Sequence, residues 1–280
     1  MSEVRRRDKT PDEPFSPLMF IVIILGTLAV VFGGIWLVAP AFWAGQVGAS
    51  WLALLGVFLA GHMTAGFVEF VFHRYVLHSY PIPFLKHFYE QHTLHHGLTN
   101  VKLITKDNGR RVFNRYPIVA EKQHEASYFP WYSLIIFILI GAPFMAVLQW
   151  LFPSLPIVLG SVLAVTWSVV LYELLHAVEH LSYEEFWQKK IDHPRWGKLW
   201  SAIYCFHLRH HANIQCNEAI SGFFGIPVPD FVFRTYMPSR IVLVDGVPAI
   251  EQDFAPPKPI GIIAFIDRLA EKSTKKSMAH

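Results

Sequence analysis

Four apolar runs decide what this chain can fold into. Residues 17–38, 51–72, 129–152 and 157–175 contain no Lys, Arg or Asp, and their only acids are Glu69 and Glu173. Each is close to the ~20 helical residues that cross the ~30 Å hydrocarbon layer of a bilayer. Backbone groups in that layer must be satisfied internally, so the runs are expected to be helices. The connections 39–50 and 153–156 are short, and the runs therefore pair as two helical hairpins. The first run is too long for the apolar part of a signal peptide, and no clear small-residue cleavage site follows it, so it is expected to remain as an anchor. The fold class expected is all-α, a four-helix transmembrane bundle.

Charge sets the expected orientation. The two short connections lack Lys and Arg; the basic residues lie in 1–16, in 73–128 and after 188. By the positive-inside rule both termini and the segments 73–128 and 176–280 are expected on the cytoplasmic side of an integral, multi-pass membrane protein. A net charge of +3 without a basic stripe gives no reason to expect a nucleic-acid partner.

The second and fourth runs lead straight into histidines. Of fifteen His in the chain, eleven fall in two clusters, six within 73–96 and the five His176, His180, His207, His210 and His211. His176 and His180 are spaced i, i+4. His92, His95 and His96 repeat the i, i+3, i+4 spacing of His207, His210 and His211, which aims three imidazoles from one helical side. His73 and His78 are five apart, which an ideal helix does not align. The prolines in 80–83 suggest that the helix ends near His78 and frees its ring. Together His73, His78, His92, His95, His96, His176, His180, His207, His210 and His211 offer ten imidazoles, about five for each of two metal ions. Imidazole suits iron, zinc and copper, and no C-x-x-C provides thiolates. The two cysteines, Cys205 and Cys216, are expected to stay reduced on the cytoplasmic side. A helical cap holding this dinuclear histidine site is expected on that side of the bundle.

Other residues are expected around the ligands rather than among them. Glu69, Glu173 and Glu179 are candidate hydrogen-bond partners of ligating imidazoles, with Glu90 and Asp192 weaker ones. His87 lies near the first triplet but off its pattern. His62 sits mid-span and reads as an interhelical hydrogen-bonder. His124, His193 and His280 read as surface or structural.

The motifs E-F-V-F-H-R-Y-V-L-H at 69–78, H-F-Y-E-Q-H-T-L-H-H at 87–96, H-A-V-E-H at 176–180 and H-L-R-H-H at 207–211 resemble those of the fatty acid hydroxylase / sterol desaturase superfamily. These are integral-membrane, non-haem di-iron enzymes, and the spacing is most similar to the fatty acid 2-hydroxylase branch. The segment 221–235 is similar to the family's closing glycine, aspartate, phenylalanine and threonine positions. The resemblance covers about residues 50–236 and implies ten histidine ligands for two iron ions (zinc substituting on purification) and dioxygen as co-substrate. It also implies hydroxylation of a C–H bond in a lipid drawn from the bilayer. No haem-binding histidine–proline–glycine–glycine signature is present, so electrons are expected from a separate donor such as a cytochrome b5-like protein or a ferredoxin with its reductase. The same ligands would serve a desaturase, or a hydroxylase of a sterol or carotenoid. A non-enzymatic alternative, a bis-histidine haem electron-transfer protein, needs facing histidines within the bilayer rather than triplets at a helix end.

The domain reading follows: a flexible basic tail at 1–16, a membrane hydroxylase domain at 17–236 and an extension at 237–280. Residues 97–128 match nothing recognisable. Residues 196–211 are expected as an amphipathic helix at the interface. In the extension, Asp245-Gly246 signals a hairpin within 240–250, 260–272 an amphipathic helix and 273–280 a disordered tail.

Overall fold

The computed structural model describes residues 17–79, 85–106, 109–120, 122–123 and 127–278. The tail 1–16, the turn at 80–83, His124 and His280 therefore lie outside the described residues.

Four helices have the length and apolar composition to cross a membrane: Leu18–Val38, Trp51–Leu77, Ser133–Leu151 and Ile157–Glu179. They mark a membrane protein. The first belongs to α1 (Pro17–Val38), the second is α3 (Trp51–Phe72) with a π-helical extension, and the others are α5 (Ser133–Leu151) and α6 (Ile157–Glu179). The connection after α1 is not the plain loop expected. Its Pro40 suits a first helical turn, where no N–H is needed, and α2 (Pro40–Val47) forms there. Gln46 of α2 is buried, donates to Gln149 Oε1 at 2.9 Å and accepts from Leu159 N at 3.1 Å, joining three helices. α3 is started by Ser50, whose side chain accepts from Ala53 N.

α3 and α6 form the central pair. Small residues let them approach: a Cβ on Gly160 would lie 2.5 Å from a Val57 methyl, and one on Gly61 2.9 Å from the Ala164 Cβ. His62 joins the pair as expected. Its Nδ1 is 2.8 Å from Ser168 Oγ, and its Nε2 accepts from Phe224 N at 3.0 Å. α1 packs on α5 and α6 through Ile24, Leu134, Ile138, Met145 and Val162.

The polar elements gather at the histidine ends of α3 and α6. They are α4 (Lys86–Leu98), α7 (Gln188–Ile191), α8 (Gly197–Ala212), α9 (Val228–Phe233) and α10 (Gly261–Met278). The expected tail from 273 is thus helical as far as Met278. Among the described residues the fold is mostly helical but not all-α. Strands β1 (Val101–Lys106) and β2 (Gly109–Asn114) pair antiparallel, from Val101↔Asn114 to Lys106↔Gly109. Their side chains alternate, with Val101 and Val112 buried.

This hairpin also corrects the reading of 240–250. The turn at Asp245-Gly246 forms, with Gly246 at φ +78°, but its two arms do not pair as strands. They lie along β2 instead: Val112 N donates to Val247 O at 2.9 Å and Gly246 N to Val112 O at 2.9 Å. An otherwise open sheet edge is covered in this way. Beneath it Val101, Val112, Tyr116, Trp187, Tyr204, Leu208 and Leu243 form one core. The last two turns of α8, Tyr204 to His211, are buried on every side. That burial departs from a half-immersed surface helix.

Candidate metal centre

The spacing of His73 and His78 is resolved by a change of helix type. After Phe72 the backbone widens into a π-helical turn, His73–Leu77. A hydrogen-bond step of five residues brings positions five apart onto one side. The two imidazoles stack with centroids 5.2 Å apart and planes at 17°. The helix does end near His78, and the π turn rather than a free swing of the ring aligns the pair.

The ten candidate histidines form two groups of five. His73, His78, His92, His96 and His210 make one; His95, His176, His180, His207 and His211 make the other; in each group the ligand atoms all lie within 4.8 Å of one another. The partition crosses the sequence motifs. On α4, His92 and His96 serve the first group while His95 serves the second. On α8, His207 and His211 serve the second while His210 serves the first. Each group therefore combines one pair from a span end, one i, i+4 pair from the helix that follows, and one residue from the other half of the chain. The groups adjoin, with His96 stacked on His211 at 4.1 Å.

Hydrogen bonds on the outer nitrogens fix which way the lone pairs point. His73 Nδ1 donates to Glu218 O at 2.6 Å, His180 Nδ1 to Tyr116 O at 2.7 Å, His210 Nδ1 to Cys216 O at 2.8 Å and His211 Nδ1 to Thr99 O at 3.0 Å. A carbonyl only accepts, so these Nδ1 atoms carry the proton. His95 Nδ1 bonds Ser127 Oγ at 3.0 Å, and that hydroxyl spends its own proton on Gln123 O. Five rings thus present bare Nε2 atoms inward.

Those of His73, His95, His210 and His211 meet the Nε2 atoms of other cluster rings. His92 Nε2 lies 3.0 Å from that of His73, 3.2 Å from His78 and 3.1 Å from His96. His78 and His210 meet at 3.0 Å, His95 and His176 at 3.2 Å, and His207 and His211 at 3.0 Å. One N–H on His92 can serve only one of its three neighbours. The other two neighbours of His92 are left without a hydrogen bond from it, a crowding of nitrogens that a shared cation would resolve. The donor set fits metal ions on this ground. Burial keeps the rings neutral, as ligation requires. It pushes His180 down to about 3, and holds His78, His92, His95, His96, His207, His210 and His211 well below the ordinary 6.5, with neighbouring imidazoles adding to the effect for these seven.

The expected carboxylate partners do other work. Glu69 accepts from Ser221 N at 2.9 Å, from Gly222 N at 3.1 Å and from the Ser221 hydroxyl, so it fixes the 221–222 loop onto α3. Glu173 accepts from Phe129 N at 2.9 Å and leaves its other oxygen without a hydrogen bond. Glu179 is buried, also with an unpartnered oxygen. None of the three bonds a cluster imidazole. His87 is exposed and lies outside both groups. Glu90 is half exposed and pairs with Lys86. His193 is on the surface, where its Nδ1 accepts from Arg195 N and Trp196 N at 3.2 Å. Cys205 and Cys216 are free and buried.

The acid that does approach the ligands is Glu218. It is completely buried, its Oε2 lies 3.9 Å from Nδ1 of both His73 and His210, and its Oε1 receives Arg74 Nη1 at 2.9 Å. Arg74 also forks onto Asp267, through Nε at 2.9 Å and Nη2 at 2.8 Å. The sequence held one partial signal for such a partner: an arginine directly after a candidate ligand, at the end of an apolar span, calls for an acid unless its guanidinium reaches water.

Comparison with known proteins finds no family model, no curated protein and no solved structure that matches this chain.

Proposed function

We propose that each histidine group holds one iron ion and that the chain is a dioxygen-dependent membrane hydroxylase of lipid C–H bonds, of the fatty acid hydroxylase / sterol desaturase superfamily. The observation that carries this reading is the division of ten inward imidazoles into two adjoining groups of five where two apolar helices end. Five nitrogen donors exceed the four of a closed structural zinc site and leave one position of a six-coordinate ion for an external ligand. Such ions, when bound, supply the electron transfer and dioxygen activation that no side chain provides.

The residues of the chain do the rest. Backbone carbonyls of Thr99, Tyr116, Cys216 and Glu218 lock the rings in one orientation. Packing seals the second group most tightly, since His95, His176, His180 and His207 are all at most 1 % exposed, while His78 and His96 of the first group are partly exposed. The flanks are apolar. Tyr172 stacks on His176 at 5.5 Å and packs with Phe206 and Ile220; Val76, Leu77 and Phe88 cluster beside the first group. An acyl chain or other lipid hydrocarbon is the substrate such walls accept. Electrons come from a separate protein, of the cytochrome b5 or ferredoxin type. The excess of Lys and Arg outside the two short connections supports both termini and the centre facing the cytoplasm.

The test is a comparison of lipid extracts from cells with and without the gene by mass spectrometry, with metal analysis of the purified protein. A lipid gaining one oxygen, together with two irons per chain, is the expected result. Loss of two hydrogens instead would make the reaction desaturation. A Soret band in the visible spectrum would reject the di-iron reading in favour of haem.

A further inference from the structure

The last helix has a face that no other part of the described chain covers. Ile263 of α10 is buried against Phe70 and Ala219. Ile262, Phe265 and Leu269 point elsewhere and are 62 %, 54 % and 49 % exposed. Their i, i+3, i+7 spacing makes one stripe. Arg268 and Glu271, also exposed, lie on a third face. The helix thus has a packed face, an uncovered apolar face and a polar face.

Its position is fixed relative to the spans. Asp267 takes the two-pronged contact from Arg74 and a hydrogen bond from Tyr75 Oη at 2.9 Å. Arg74 and Tyr75 belong to the last turn of the apolar span Trp51–Leu77. Just before α10, Ile260 N donates to Phe233 O at 3.1 Å, and the Phe233 ring packs on Phe67 and Phe70 of α3 at 5.7 and 4.8 Å. α10 is therefore tied to the last turns of the second apolar span. The elements it is tied to also carry exposed apolar side chains, Phe231 and Val232 on α9 and Val68 and Val71 on α3.

We infer that α10 is an interfacial helix: it lies along the bilayer surface with Ile262, Phe265 and Leu269 among the acyl chains, moored by the Arg74–Asp267 ion pair. Continuity with the lipid-facing side of α3 selects lipid as the occupant. So does the basic flank, since Arg268 and Lys272 border the stripe, with Lys275 and Lys276 following in sequence; an amphipathic helix of this kind binds headgroups with its cations. A second copy of the chain is a poorer fit, because three half-exposed side chains offer roughly 300 Å² against the ~800 Å² per partner of a stable dimer. This inference is independent of any reading of the metal centre.

The experiment places single cysteines at Ile262, Phe265, Leu269, Arg268 and Glu271 in the full chain. Each is labelled with an environment-sensitive fluorophore and reconstituted in phosphatidylcholine vesicles; the unsubstituted protein measures background labelling of Cys205 and Cys216. The expected result is blue-shifted emission at 262, 265 and 269, several-fold stronger quenching there by a doxyl group near the lipid headgroup, and several-fold weaker quenching by aqueous iodide than at 268 and 271. Equal iodide quenching at all five positions would overturn the proposal. So would a stripe shielded from both quenchers, which would mean that protein covers it. Asp267→Asn supplies a second reading: with the mooring broken, lipid quenching at 265 falls if the ion pair sets the depth of the helix, and an unchanged value removes that part of the inference.

Discussion

Replacing Arg74 by Met tests how the first histidine group is supported. The guanidinium makes four hydrogen bonds, two to Asp267, one to Glu218 Oε1 and one to Gln215 O, all between 2.8 and 2.9 Å. Its side chain is 5 % exposed and that of Glu218 0 %. Met keeps the length and apolar packing but leaves Glu218 as a buried charge without its partner. Breaking such a pair costs about 3–5 kcal/mol. At about 2–4 °C per kcal/mol for a chain of this size, Tm should fall by roughly 6–20 °C. Because Glu218 approaches Nδ1 of both His73 and His210, R74M should also lower metal bound at the first group. Thermal unfolding and metal analysis in nanodiscs would be run on R74M, E218Q and the double variant. If the loss comes from an uncompensated charge, the double variant is more stable than R74M alone, since both partners are then neutral. R74M with unchanged Tm and metal content, or a double variant equal to the sum of the singles, would refute the reasoning.

Other outcomes follow from the same geometry. His210→Ala should empty the first group while the second keeps its ion, halving the metal content, because His210 sits on α8 but belongs with His73 and His78; loss of both ions would contradict the partition. Gly222→Ala should destabilise strongly, by more than the ~1–2 kcal/mol of a left-handed backbone alone, since Gly222 is at φ +45° and a Cβ would lie 2.2 Å from Ile226 O; a melting curve equal to the parent's would rule this out. Acid should release metal and lower stability. The rings outside the spans have folded values depressed below 6.5, so the unfolded chain binds more protons at acid pH, and stability present above about 6.5 is lost as pH falls through and below it. Metal and stability both retained in full after dialysis below about pH 3, under the value of His180, would count against neutral-ring ligation.

Much of this architecture was legible because it rests on periodicity. Uncharged runs of bilayer length mark α1, α3, α5 and α6, and i, i+3, i+4 spacings mark the histidines that the fold brings together. What stayed hidden depends on contacts between distant segments. The β1–β2 hairpin sits in a polar stretch with weak alternation, and it is completed by residues 240–250, more than a hundred positions away. Those residues show a turn signal but not its partner. Glu218 carries no motif and is defined by Arg74 and two imidazoles that arrive from other helices. Glu69, Glu173 and Glu179 attracted attention by nearness in sequence to the ligands, yet Glu69 and Glu173 are taken up by backbone N–H groups of Ser221, Gly222 and Phe129 rather than by the outer nitrogens of the rings. Backbone carbonyls from loops occupy that place. The His73–His78 spacing was itself the trace of the π turn.

The exchange of one histidine between α4 and α8 bears on how such a protein is made. A ribosome releases the first hairpin and α4 with His73, His78, His92 and His96 already present, but the fifth member of that group, His210, emerges more than a hundred residues later. The second group waits in turn for His207 and His211, although its His95 has been available since α4. Neither half of the chain can finish a group alone, so if the groups hold metal as proposed, full loading is deferred until the second hairpin is inserted and α8 docks. Premature capture of an ion by the first half is limited to four imidazoles. The two centres are completed by one helix, and are therefore expected to fill together late in biogenesis rather than one by one as the spans are threaded into the membrane.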